Sequence, residues 1–438
     1  MILKLKDNCY ILKKKHKKMK KRDFLKSLSG LGLSVPVMGR NFERLLTEHE
    51  GVSPEALAKN EEFWGEIRSG YVLKPDYINL ENGYYCITPQ PTFNAFVENI
   101  KKINYHGSYY MRNDRFPENT EVRHALAKAA GCLPEEIVVT RNTTESLDTV
   151  ISGYDWKPGD EAVMAVQDYG AMLDHFDLQA KRYGMVNKRI SVPLNPASDE
   201  EIVEVYEKAI TPKTRLLMVC HIINITGQIL PIKKISDMAH KHGVDVLVDG
   251  AHAFAHFDYK ISDLGCDYYG TSLHKWLSSP LGVGFLYVRK GKAKSLWPIF
   301  GDNGYADDDI RKLNHTGTPA VHTDISILNA LDYLQKIGIE KKEARLRYIK
   351  EYWVRQVRDY PGILVNTPAD PKRSCGIANV GIAKMKPGIL GKTLLEKYKI
   401  WTVPIDGANV HGCRITPNIY TTTEELDVFV KALKELAI

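Results

Sequence analysis

The sequence predicts an α/β fold with a mostly parallel sheet, followed by a smaller α+β region. Three observations carry this expectation. Short apolar runs rich in Val, Ile, Leu or Met recur at 137–140, 162–166, 216–220, 244–249 and 283–288, the texture of strands buried on both faces. Helical patterns at 144–152, 170–183, 200–209 and 232–242 separate most of them, which is the alternation of β-α units. Beyond about residue 310 the pattern changes to a long helix (323–359), strands at 362–366, 377–382, 398–403 and 413–416, and a last helix at 423–437.

Taken in order, residues 1–40 form a basic tail and 41–75 a helical segment punctuated by Pro54 and Pro75. Residues 76–310 form the large domain and 311–438 the small one. Asp76–Leu80 reads as a short strand entering the turn Glu81-Asn82-Gly83-Tyr84. Residues 118–131 are an amphipathic helix, with Gly131 suited to its C-cap. No internal repeat is present.

Composition narrows the function. The chain has 438 residues, 44% hydrophobic and 26% charged, proportions that exclude wholesale disorder and a polytopic membrane protein. The net charge of +7 is concentrated at the start. Residues 1–22 hold ten Lys or Arg against Asp7 alone, so the rest of the chain sums to −2. A body near neutrality lacks the basic surface that nucleic-acid binding needs. The seven cysteines form no CxxC pair, which argues against a disulfide framework or zinc knuckle.

The basic start raises a targeting question. Lys21-Arg22-Asp23-Phe24-Leu25-Lys26 precedes a mildly apolar stretch ending near Met38, a signal-peptide outline. It is similar to a twin-arginine export motif, with Lys21 replacing the first arginine. Met19 is an alternative start. The stretch is too short and too rich in Gly and Ser for a stable membrane span. Export to the periplasm and a solvated tail on a cytoplasmic enzyme are the two readings.

Three segments carry chemistry. Val138–Ser146 runs from a strand through Asn142, Thr143 and Thr144 into a helix; helix N-termini attract phosphate, although the same residues suit an ordinary N-cap. Val244–His252 places Asp249 at the carboxyl end of a strand, where α/β folds bind ligands. Thr271–Leu277 sets Lys275 among Leu273, Trp276 and Leu277. Desolvation there would lower its pKa and make it a nucleophile. Taken alone, a capping Asp and a snorkelling Lys are the plainer readings. The ordered combination decides. It runs from phosphate cradle through a polar cluster at His221–Gln228 and a strand-end acid to a lysine 26 residues later. A phosphorylated pyridine aldehyde needs these parts.

This combination resembles the pyridoxal 5′-phosphate (PLP) enzymes of fold type I, class V aminotransferase family, over roughly residues 76–435. The motifs are Val248-Asp249-Gly250-Ala251-His252-Ala253, Ser272-Leu273-His274-Lys275, His221–Gly227 and Arg414–Tyr420. The resemblance implies a large domain with a seven-stranded, mostly parallel sheet. It implies that Lys275 forms the Schiff base, Asp249 pairs with the pyridine nitrogen, and Asn142, Thr143, Thr144, Ser272 and His274 hold the phosphate. Tyr169 would stack on the ring, Asn224 and His252 would lie near its phenolic oxygen or the Schiff base, and Arg414 would clamp a substrate carboxylate. Thr318, in Gly317-Thr318-Pro319, would reach a neighbouring subunit's phosphate, implying a homodimer. Asn82, Tyr84 and Arg112 are expected at the substrate wall, although the aromatic segment 105–112 also suits an ordinary packed loop.

The pattern is closer to the isopenicillin N epimerase-like branch than to cysteine desulfurases, where Gln commonly takes the place of His252. Strand alternation should turn Cys413 away from Arg414, so Cys413 reads as structural. The expected activity is chemistry at the α carbon of an amino acid: transamination or epimerisation, with C–S lyase or desulfurase chemistry as the alternative. Tyr84 or Tyr85 would supply an epimerase's second acid. Two other classes stay in view. His252 and His256, flanked by Asp249 and Asp258, would face one way on a helix and suit a metal-dependent hydrolase; no metal is the expectation. A cofactor-free binding protein is the other.

Overall fold

A computed structural model describes residues 35–438, with side chains from residue 42. The basic tail and the Lys21–Lys26 motif lie outside the described residues. The described residues fall into two units, 35–48 and 49–438. The described part of the first is a helix, Val35–Glu48, with Arg44 and Glu48 paired one turn apart at 3.4 Å.

The second unit begins with the helices Pro54–Leu57 and Glu61–Ser69 and a two-residue strand β1 (Ile78–Asn79). Its centre is a sheet of β2 (Ile137–Thr140), β3 (Glu161–Ala165), β4 (Val186–Ile190), β5 (Thr214–Cys220), β6 (Asp245–Asp249), β7 (Tyr268–Ser272) and β8 (Gly284–Val288). The strand order is β2-β8-β7-β6-β5-β3-β4. Only β8 runs antiparallel to its neighbours. Side chains alternate between the faces as the pleat requires. Val139, Val163, Leu217, Val219, Val246 and Val248 enter one core, and Val138, Met164, Leu216, Met218, Leu247 and Leu286 the other. Apolar side chains on both faces explain the continuous hydrophobic runs in the sequence.

Two of these strands are absent from the sequence reading. β4 is an edge strand with a polar sequence, Val-Asn-Lys-Arg-Ile. Its lysine pairs with Glu161 at 2.8 Å and its arginine with Asp177 at 2.7 Å. β7 contains Gly270, a residue that ordinarily weakens strands. Packing requires it, because a Cβ there would lie 2.8 Å from Ser146 Cβ on the helix Thr143–Gly153. The helix Gln90–His106 and a π-helical turn, Tyr110–Asp114, are also new. They replace the loop expected at 105–112. Pro91 does not oppose that helix, since its first turn has no N–H partner to lose.

After β8 the expected single helix at 323–359 is two, Val321–Ile337 and Ile339–Val357. The break is Gly338, with φ of 92°, a conformation that side chains with a Cβ rarely adopt. An antiparallel sheet follows, ordered β12-β13-β10-β9: β9 (Ile363–Val365), β10 (Ala378–Ile382), β12 (Val403–Gly407) and β13 (Val410–Ile415). The helices Pro387–Tyr398 and Thr423–Ala437 pack on it. The predicted strand 398–403 divides: β11 (Ile400–Trp401) pairs in parallel with β1, while β12 joins β13. That pairing brings residues 78–84 alongside the C-terminal sheet. Among the described residues, no helix is long and apolar enough to cross a membrane.

Candidate active site

A cavity of about 310 Å³ opens at the carboxyl ends of β2, β5, β6 and β7 and is closed on one side by Gly83, Tyr84 and Arg414. Lys275 sits three residues beyond the end of β7. Its Nζ lies 3.2 Å from His252 Nε2. Burial pushes its pKa down to about 8; Asp249 opposes that shift and Arg414 adds to it. The sequence expectation of a desolvated, nucleophilic lysine therefore has a geometric basis.

Asp249 ends β6 and is 5% exposed. One carboxylate oxygen accepts the Ala251 N–H at 2.9 Å. The other is 3.9 Å from the Cys220 thiol. Burial raises its pKa, against the pull of that N–H and of Lys275. A buried carboxylate so weakly paired favours a cationic N–H partner, and a protonated pyridine is one.

The same cavity offers anion donors. Asn142 caps the helix Thr143–Gly153 by accepting the Glu145 N–H at 2.9 Å. The Thr143 N–H donates to Ser272 Oγ at 2.9 Å, and the two hydroxyls are 2.7 Å apart. Two segments 129 residues apart thus form one cradle, with Thr144 beside it in the cavity lining. His274 Nδ1 is buried without a hydrogen-bond partner, an orphan that a phosphate oxygen would satisfy. Burial holds this imidazole neutral, with its pKa near 4. Cradle, orphan and buried acid fit PLP. The expected ring contacts Tyr169, Asn224 and His252 also line the cavity, Tyr169 being half-exposed.

Sequence reasoning missed Glu81. Arg414, on β13, is bonded through Nη2 to one Glu81 oxygen at 2.5 Å and through Nε to the other at 3.2 Å. Both side chains are buried. Glu81 also accepts the Tyr84 N–H at 2.9 Å. Gly83 lies so close that a Cβ would stand 2.9 Å from Arg414 Cζ. The turn 81–84 therefore clamps the guanidinium that the sequence had assigned to substrate alone. No local pattern signals a pair 333 residues apart.

Three expectations need adjustment, those for Asn82, Arg112 and the His252–His256 pair, and Thr318 takes a place of its own. Asn82 is fully buried and its amide is committed to Thr416 O and the Tyr420 hydroxyl. It builds the turn rather than facing substrate. Arg112 is exposed on the π-helical turn and is not among the residues lining this cavity. Thr318 lines a second cavity of about 490 Å³, which shares Arg141 and Gly282 with the first. Residues 251–257 are turns, not a helix. Both His256 nitrogens are engaged, Nδ1 with His252 O at 2.7 Å and Nε2 with the Gly376 N–H at 2.8 Å. The imidazole therefore offers no lone pair to a metal beside His252, and the hydrolase reading loses its geometry.

Cys413 points towards Pro387 O, 3.7 Å away, while Arg414 lines the cavity, as strand alternation predicted. Burial pushes the Cys413 thiol up to about 11. Of the described cysteines, only Cys220 lines the cavity, and burial raises its pKa well above the ordinary value.

Known proteins resemble this chain over most of its length. The sequence is 27% identical to isopenicillin N epimerase of Streptomyces clavuligerus over 393 residues, 85% of this chain and 98% of that one. It is 28% identical to a probable cysteine desulfurase of Halalkalibacterium halodurans over 330 residues, 69% of this chain and 77% of that one. Among solved structures, the apo cysteine desulfurase of Thermococcus onnurineus NA1 aligns with a TM-score of 0.75 at 22% identity, covering 85% and 97% of the two chains. The cystine C-S lyase C-DES also aligns with a TM-score of 0.75, at 24% identity over 82% and 97%. The family model of aminotransferase class V matches residues 88–429, so the chain belongs to that family of PLP-dependent enzymes.

Proposed function

We propose that this enzyme moves a proton at the α carbon of an α-amino acid, giving epimerisation or transamination rather than sulfur transfer. The observation that carries the reading is Lys275 Nζ, a depressed-pKa amine in one cavity with Asp249 and Arg414. Bound PLP supplies an electron sink for the α-carbon bonds. The chain's residues do the rest. Asp249 balances positive charge near Lys275. Arg414 receives the substrate carboxylate with its remaining N–H groups and fixes which α-carbon bond faces Lys275. The Lys275 amine takes the α proton as general base. Tyr84 lines the cavity and is 75% exposed, whereas the Tyr85 hydroxyl is tied to Thr88 at 3.1 Å. Tyr84 is therefore the candidate acid for returning a proton to the opposite face. The lack of an accessible, acidic thiol among the described residues disfavours a desulfurase route, which needs a thiolate.

The test is incubation of the holoenzyme with a panel of L- and D-amino acids in D₂O. Deuterium at Cα with inverted configuration supports epimerisation, and keto-acid formation supports transamination. Sulfide release from cysteine or cystine without exchange into other substrates would overturn the proposal. A homodimer is part of the reading, on the Gly317-Thr318-Pro319 segment of the sequence. Sedimentation of the full chain at one protomer mass would remove it. Export by the twin-arginine-like segment is proposed on its sequence alone. Fusion of residues 1–40 to a reporter that stays cytoplasmic would exclude it.

A further inference from the structure

Behind the cavity, Trp276 follows Lys275 directly and is fully buried. Its Nε1–H donates to His252 Nδ1 at 3.3 Å. Its ring stacks on His256, with centroids 3.7 Å apart and planes inclined by 20°. Its carbonyl accepts from the buried Lys342 ammonium. Indole is a donor only, so the nitrogen it faces must be the unprotonated one. A neutral imidazole then carries its proton on Nε2, the nitrogen 3.2 Å from Lys275 Nζ. An ammonium has no lone pair to accept that proton, whereas a neutral amine does.

We infer that Trp276 is a positioning residue that locks His252 in the Nε2–H tautomer, so that His252 donates to the Lys275 nitrogen once it has lost its proton and favours that free-amine form. The inference rests on the PLP reading of this site and extends it to a side chain outside the cavity. The surroundings agree. His252 faces Lys275 and Arg414 and the imidazoles of His256 and His274. Together with burial these keep it neutral. Lys275 itself faces Asp249, Arg414, Glu81 and Cys86. None of these substitutes for the indole in choosing the His252 tautomer. His256 stacks on the Trp276 ring and Lys342 holds its carbonyl, which orients the indole and its main chain.

Two experiments test the tautomer directly. The first uses ¹⁵N-histidine-labelled, cofactor-free full chain and reads the ring nitrogens of His252, assigned by loss in His252→Gln. The expected result is a protonated Nε2 and an unprotonated Nδ1. The reverse overturns the inference. The second compares the rate of PLP uptake, followed by visible absorbance, in four chains: unsubstituted, Trp276→Phe, His252→Gln and the double variant. A glutamine amide presents N–H donors without any tautomer to select. Trp276→Phe should slow uptake about five- to tenfold when His252 is present, the scale of one lost hydrogen bond. It should slow uptake less than about twofold in the His252→Gln background. Equal slowing in both backgrounds means that Trp276 serves packing alone and overturns the inference. If Trp276→Phe does not fold, the nitrogen spectrum of the unsubstituted chain still decides. An unsubstituted chain that takes up no PLP at Lys275 would instead defeat the site reading on which the inference stands.

Discussion

The two ends of the cavity are built by opposite strategies. At the lysine end, Asp249, His252 and Lys275 sit at or just past the ends of the paired strands β6 and β7. Their functional groups are weakly paired, and the buried amine and carboxylate both have pKa values shifted against their charged forms. At the arginine end, Arg414 and Glu81 come from distant parts of the chain and form a bidentate, buried pair. The comparison separates reactivity from positioning. Groups that must react are left under-satisfied, and the group that must hold a substrate still is braced first.

Four experiments would break or sharpen that contrast. The largest effect is expected from Lys275→Ala: loss of borohydride-sensitive visible absorbance and of all turnover, with a melting temperature unchanged or higher. Removing a desolvated amine should not cost stability. A strongly destabilised variant would show that Lys275 braces the fold. Next, Asp249→Ala should reduce turnover by about 10²–10⁴-fold, the loss of electrostatic stabilisation at the reacting system, while circular dichroism stays native. Full activity would exclude its role.

Arg414→Ala should act on both axes. It should raise KM for the amino acid about 100-fold, as for a lost charged bidentate contact. It should also lower stability by about 3–5 kcal/mol because Glu81 is left buried and unpaired. Adding Glu81→Gln to that variant should recover part of the stability without recovering KM. Chemical denaturation and steady-state kinetics on the same samples would check this. Unchanged stability in Arg414→Ala would mean that the brace is idle.

The smallest effect is one of pH. Burial places the Lys275 pKa near 8, below its ordinary 10.5. The free amine fraction therefore rises with pH, so PLP uptake by the cofactor-free chain should climb up to pH 8 and level off above it. The sign for stability follows from proton binding. Between the two pKa values the unfolded chain holds the extra proton, so this group's destabilising contribution is full below pH 8 and fades towards pH 10.5. An uptake rate still rising above pH 9 would refute the depressed pKa.

The lysine end was legible because its signals are short-range. A strand ending in Asp, a Ser-x-His-Lys segment and a strand running into Asn-Thr-Thr each place their chemistry within a few residues. The Thr143–Ser272 cradle follows once those strands share a sheet. Glu81 was not legible, because an acid in a turn carries no mark of a partner on β13. Asn82 was misjudged for the same reason: its amide is used by Thr416 and Tyr420, which only the β1–β11 docking brings near. β4 and β7 were missed where an edge position and a glycine-requiring contact suppress the usual strand composition.

The amino-acid sequence by itself determined the cofactor chemistry and the layered architecture. Hydrophobic periodicity and helix-start chemistry are properties of neighbouring residues, and both set local structure before any distant contact forms. Only the tertiary structure decided how Arg414 is braced, which nitrogen of His252 faces Lys275, and that His256 is spent on the backbone. Those outcomes depend on where segments up to 333 residues apart come to rest, and packing geometry, not pattern, fixes that.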